Sequence, residues 1–196
     1  MKTGFTIIEL IISIFILSIA IVGIFSAFSI VTILTSDTVD RLAATYLAQE
    51  GMEIVRNIRD TNWLNMDAGV SGVAWDNGFN SCEDKGCEVD YTTTGYGSNP
   101  VKPYASGHYL NIDANGFYHY QEAALNTKFK RKIIITKVTD VDNKDDHIIK
   151  VTVEVSWDRK ATIINSGISA GTCIASNNNC IRAEETLYDW YNYLNH

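Results

Sequence analysis

Charge is almost missing from the start of this sequence. Between Phe5 and Thr35 the one ionisable side chain is Glu9. Proline is scarce throughout: there are 2, at positions 100 and 103, so no proline interrupts a helix before them. Enzyme motifs are also missing. There is no G-x-S-x-G, no P-loop and no H-E-x-x-H. The histidines, His108, His119, His147 and His196, have the spacing of neither a metal site nor a triad. Basic residues are outnumbered, 16 Lys and Arg against 23 Asp and Glu, and the net charge of −7 argues against a nucleic-acid partner. The reading is therefore of a non-enzymatic protein with no cofactor, no catalytic residues and no metal.

Two smaller patterns are set aside on the same grounds. Asp140, Asp142, Asp145 and Asp146 resemble a calcium loop, but Lys144 and Asp145 stand where an EF-hand loop needs an oxygen ligand and a glycine. A solvated hairpin turn is the better account. Lys128, Lys130, Arg131 and Lys132 around Phe129 make a small basic patch, read as the solvated start of a strand, with DNA contact as the lesser alternative. The 4 tryptophans and 10 tyrosines are expected in core and loop packing.

What is present is a long apolar run. A bilayer span needs about 20 residues, and residues 5–34 are all uncharged apart from Glu9. A cleaved secretory signal would have an apolar core of roughly 7–15 residues, which this run far exceeds. Lys2 before it favours a cytoplasmic N-terminus, with the remainder outside the membrane. Cys82, Cys87, Cys173 and Cys180 suit that side, where disulfides persist. Three connectivities are open. Two local loops, Cys82–Cys87 and Cys173–Cys180, are the simplest, and neither spacing is that of a zinc ribbon.

The run continues without a break into VDRLAATYLAQEGMEIVRNIRD. Ala43, Leu47, Gly51, Ile54 and Ile58 recur every three or four residues, with Tyr46 and Val55 beside them. One helix is expected over residues 5–59, apolar all round at first and then amphipathic, stopped by Asp60-Thr61-Asn62. Residues 63–106 show weak periodicity and are read as largely irregular. GHYLNID and GFYHY flank the turn Ala114-Asn115-Gly116, a hairpin signature. FKRKIIITKVTDV and HIIKVTVEVSW form a second strand pair joined by the polar DNKDD. IRAEETLYDWYNYL fits a strand or a helix, and a strand is preferred.

Gly4-Phe5-Thr6-Ile7-Ile8-Glu9-Leu10 resembles the cleavage and methylation motif of the type IV pilin family, which includes the pseudopilins of type II secretion and competence pili. YLAQEGMEIVRNIRD and V-x-V-x-V-x-W, ending at Trp157, are similar to minor pilins of the I-type pseudopilin branch. The resemblance implies cutting after Gly4 by a prepilin peptidase and methylation of the new amine on Phe5. It implies pairing of Glu9 with that amine on a neighbouring subunit. It also implies an α+β fold, a long helix on an antiparallel sheet. The layout would be a leader at 1–4, a transmembrane and assembly helix at 5–35, an amphipathic half at 36–60 and an extracytoplasmic domain at 61–196. Implied partners are other pilin subunits, an assembly platform protein and a cytoplasmic ATPase. The implied location is the cytoplasmic membrane, then an extracytoplasmic filament. The chain departs from the family in two ways. Many major pilins have a proline where Ser26 stands, and most close one C-terminal cysteine loop rather than two pairs. The rival readings are a membrane-anchored binding module, in which Glu9 is a charge reaching the headgroups, and an anchored enzyme, which would need a clustered polar pocket.

Overall fold

In the computed structural model, the residues described are 4, 6–83, 85–97, 99–106, 108–120, 125–138, 147–159, 173 and 179–190. The chain divides into two units, residues 1–40 and residues 41–196. A single helix, α1 (Ile7–Asp67), supplies the first unit and opens the second.

Strands follow in the order β1 (Cys87–Glu88), β2 (Lys102–Pro103), β3 (Asn111–Ile112), β4 (Tyr118–His119), β5 (Leu125–Asn126), β6 (Phe129–Lys137), β7 (Ile148–Trp157) and β8 (Cys180–Tyr188). A short 3-10 helix, Phe79–Cys82, precedes β1. The main sheet has the order β2-β1-β6-β7-β8 and a small sheet the order β4-β3-β5. All pairings are antiparallel. The fold is therefore α+β, with a long N-terminal helix and antiparallel sheet, the expected class.

Within the second unit the helix packs through Ala44, Leu47, Ala48, Gly51, Met52, Val55, Ile58, Asn62 and Trp63. This stripe is rotated from the expected one. Leu47, Gly51, Val55 and Ile58 are buried, Ala43 and Ile54 only in part, and Tyr46 stands in solvent. Small alanines decide the contact, because Ala44 and Ala48 let the helix approach the sheet where bulkier neighbours would hold it off. Opposite them lie Ile133, Ile135, Val151, Val153 and Val155, all buried. Each such side chain contributes about 1.5–3 kcal/mol relative to exposure.

The helix also outruns its expected stop. Asp60-Thr61-Asn62 stays helical because Asn62 has partners inside: its Nδ2 donates to the carbonyls of Trp75 (3.1 Å) and Asn77 (3.0 Å). Trp63 is buried and its Nε1 donates to Asp189 Oδ1 at 3.0 Å. The stop is Gly69, at φ 74. There the N–H of Gly69 donates to Met66 O and that of Val70 to Asn65 O, the paired bonds of a Schellman ending.

The hairpin at residues 114–116 forms, with Asn111 opposite His119. The β6–β7 pair forms in register, and β8 is a strand. The DNKDD connector lies outside the described residues. Cys82 is joined to Cys87, and Cys173 to Cys180. β7 differs from simple alternation: Thr152, Glu154 and Ser156 are buried as well as the valines. The registers explain Glu154. Lys102 faces Glu88, Lys132 faces Glu154, and Glu154 faces Arg182. Because Cys87 pairs with Ile133, the next pair is Glu88 with Lys132. Charge of alternating sign thus crosses all five strands, and a one-residue slip would break every pair.

Candidate assembly helix

The residues singled out at the N-terminus fall as follows. Phe5 and residues 1–3 lie outside the described residues. Gly4 is exposed, and nothing would lie within 4 Å of a side chain placed there. Glu9 is exposed on the first turn of α1. Its N–H donates to the Thr6 hydroxyl oxygen, 3.4 Å away, and Leu10 N donates to Thr6 O at 3.2 Å. Thr6 is thus the N-cap and Glu9 the third helical residue. Thr6-x-x-Glu9 is the spacing of a capping box, and a carboxylate there also meets the positive end of the helix dipole. The motif was visible in the sequence as T-x-x-E ahead of an apolar run.

From Ile7 to Val31 the large apolar side chains are uncovered on every face, from 45% exposed at Ile21 to 79% at Ile7. This part of α1 is long and apolar enough to cross a membrane. Its polar side chains suit hydrocarbon. Ser13, Ser18, Ser26, Ser29 and Thr32 each donate to the carbonyl four residues back, at 2.7–3.0 Å. A hydroxyl bonded to its own helix presents no free donor to a medium without water. Ser26, standing where many major pilins have proline, leaves the helix unbroken.

In the second unit the charged residues do structural work. Arg131 is fully buried, which the basic-patch reading did not foresee. Its NH1 donates to Leu47 O at 3.1 Å and its NH2 to Val89 O at 2.8 Å, with Glu50 Oε1 at 3.5 Å. It ties α1 to the segment after β1. Gly51 makes room, since a Cβ there would lie 3.0 Å from Arg131 Cδ and 3.1 Å from Val153 Cγ1. Asp90 anchors the irregular region. Burial by itself would raise its carboxyl. Bonds from the Thr92 hydroxyl, the Tyr120 and Thr92 N–H groups and the Thr93 hydroxyl outweigh that and hold it below its ordinary value. Tyr120 is pushed far above the ordinary tyrosine range, chiefly by burial, and its hydroxyl donates to Arg131 O at 2.6 Å.

The histidines are dispersed. His108 Nδ1 lies 3.1 Å from Glu88 Oε2, His147 Nδ1 lies 3.5 Å from Asp189 Oδ2, and His119 is buried. His196 lies outside the described residues, as do Asp140, Asp142, Asp145 and Asp146. Among the described residues no three His, Cys, Asp or Glu side chains are grouped to hold a metal. Trp63, Trp75 and Trp157 are buried, while Trp190 is half exposed and packs on Trp63 with ring centroids 4.6 Å apart.

No family model matches this chain, and neither a curated protein nor a solved structure was found to be similar to it.

Proposed function

We propose that this chain is a structural subunit, a minor pilin or pseudopilin, of a type IV pilus-like filament or type II secretion pseudopilus. It is cut after Gly4 and assembles through its N-terminal helix, while residues 41–196 stay outside the membrane. One observation carries this reading: an apolar helix bare on every face, with a single carboxylate, Glu9, in its first turn. A plain anchor gains from that charge only the helix-terminus interaction, about 0.3–1 kcal/mol, against a cost of a few kcal/mol in hydrocarbon. A subunit moving from lipid into a bundle of like helices has a use for it, because the new amine on Phe5 of a neighbour is its partner. Lipid is as apolar as leucine, so side-chain burial does not drive helices together inside the membrane. Once the helix leaves lipid, burial against other helices gains about 25 cal/mol per Å².

The test is Glu9→Leu. Membrane insertion and cleavage should be normal, since the helix becomes more apolar. Incorporation into filaments should collapse, because the neighbouring amine is left buried without its partner. Subunit content of sheared filaments is compared with membrane content in the same cells. Equal incorporation of the variant and the unaltered chain would overturn the reading, as would a mature protein that keeps residues 1–4.

A further inference from the structure

The dipeptide Asn–Gly occurs twice in the chain, as Asn77–Gly78 and as Asn115–Gly116. Asparagine is a thermolabile residue. The main-chain nitrogen of the next residue can attack its side-chain carbon, Cγ, and close a five-membered ring. Glycine favours this, because no side chain stands beside the attacking nitrogen and its backbone turns freely.

The two pairs have like glycine backbones and unlike surroundings. Gly78 has φ 91 and Gly116 has φ 89. Asn77 is held in place. Its carbonyl accepts from the buried Asn62 Nδ2 at 3.0 Å, and its N–H donates to Ala74 O at 3.0 Å. A Cβ on Gly78 would lie 2.9 Å from Gly95 O, and Phe79 beyond it is buried. Gly78 therefore cannot swing toward Cγ without moving packed neighbours. Asn115 and Gly116 are both exposed at the tip of the β3–β4 hairpin, and a Cβ on Gly116 would have nothing within 4 Å. The Gly116 N–H donates to Asp113 O at 3.1 Å. A bond at an exposed turn opens at little cost, whereas a packed segment must first unfold locally.

We propose that Asn115 is a site of spontaneous covalent modification, deamidation through a cyclic imide, with water as the co-reactant. The Gly116 nitrogen bonds to Asn115 Cγ and gives up its proton. The Cγ–Nδ2 bond breaks, and the amide nitrogen takes a proton and leaves as ammonia. Water then opens the ring at either carbonyl, giving aspartate or isoaspartate, and nothing is oxidised or reduced. Either product adds a negative charge close to Asp113. That carboxylate organises the turn: Oδ1 accepts the N–H of Asn115 at 2.8 Å and of Phe117 at 2.9 Å, and Oδ2 accepts the Tyr91 hydroxyl at 3.0 Å. Isoaspartate also inserts one carbon into the main chain between those two N–H groups, which pulls them out of step with Oδ1. The contact this loosens is that of the exposed Phe117 and Tyr91 rings, 5.2 Å apart. Because ammonia is lost, the change runs one way and records the age of the chain. It goes beyond the filament reading and stands without it.

The test holds the full chain in detergent micelles at mildly alkaline pH, in water enriched in heavy oxygen. The heavy atom marks every carboxyl formed during the incubation, and circular dichroism checks that the chain stays folded. Peptide mapping by mass spectrometry then reads both Asn–Gly pairs in one sample. Isoaspartate is counted separately, by enzymatic methylation of the digested peptides. In the folded chain the Asn115 peptide should gain the heavy carboxyl, and much of it should be isoaspartate. Asn77 should react more than about tenfold more slowly, since it must open locally first. In denaturant the two pairs should react at similar rates, which assigns their difference to the fold. Asn115→Gln should abolish the label in its own peptide, because glutamine would need a larger ring, and should leave Asn77 unchanged. An Asn115 that keeps its amide in the folded chain while reacting in denaturant would overturn the proposal. So would an Asn77 that reacts as fast as Asn115 in the folded chain.

Discussion

The two parts of α1 obey different rules although they form one continuous helix. In residues 7–40 the apolar side chains cover every face and none is buried. In residues 41–67 they form one stripe of small and branched residues against a sheet. Hydroxyls behave alike in both: Ser13 and Thr45 each bond to the carbonyl four residues back. The difference therefore lies in what surrounds the side chains, with backbone geometry the same in both. The first part is suited to a partner or a lipid, and the second already has its partner in β6 and β7.

The comparison is broken most directly by matched substitutions. Ile58 is 1% exposed and Ile16 is 62% exposed. Ile58→Ala should cost about 2–5 kcal/mol, the transfer term plus the cavity left behind. Ile16→Ala should leave the same unfolding transition unmoved. Tryptophan fluorescence in detergent reads this cleanly, because all 4 tryptophans lie in the second unit. A comparable loss from both substitutions would mean that the two parts unfold as one and that the division at residue 40 has no energetic meaning.

Acid sharpens the comparison. Residues 10–34 contain nothing that titrates, while the second unit has Asp90 with its carboxyl held below the ordinary value. A carboxyl lowered in the folded state contributes stability above its unfolded value, about 3.9, and loses it as the pH falls through the folded one. Asp90→Asn should cost about 1–3 kcal/mol near pH 7, by removing the charged acceptor from the Thr92, Thr93 and Tyr120 donors. The gap between variant and unaltered chain should close below about pH 4. Denaturant midpoints taken across pH 2–7 check it. A gap that is constant with pH would assign the loss to altered packing instead of the carboxylate.

Most of the fold was legible because its periods are clean. The helix could be read from an unbroken apolar run leading into a three-and-four repeat. β6 and β7 could be read from Val151, Val153 and Val155 on one face, and the hairpin from Ala114-Asn115-Gly116. The remainder depends on distant partners. Asn62 has the chemistry of a stop, yet it sits inside α1 because Trp75 and Asn77 offer it two carbonyls. Arg131 is one cation in a run of four, and its burial rests on Leu47 and Val89, far away in the chain. β1 and β2 are 2 residues each, too short for any period to register. At the candidate site, Glu9 was legible as a lone charge. Its second role, as the third residue of a Thr-capped helix, lay in the same seven letters, Gly4 to Leu10.

That double role sets the last and smallest test, Glu9→Gln. Glutamine keeps the capping-box geometry with Thr6 and loses only the dipole interaction, about 0.3–1 kcal/mol. The helix should begin where it does now, and the second unit should unfold at an unchanged temperature. If Glu9 serves only the helix terminus, Glu9→Gln should enter filaments as well as the unaltered chain, and Glu9→Leu should do worse. If Glu9 meets the amine of a neighbouring subunit, a neutral amide cannot balance that charge inside a dry bundle. Glu9→Gln should then be lost from sheared filaments as fully as Glu9→Leu, while its membrane level stays normal. The filament reading requires the second result. The comparison of Gln with Leu separates the charge of Glu9 from its shape, which Glu9→Leu alone does not do.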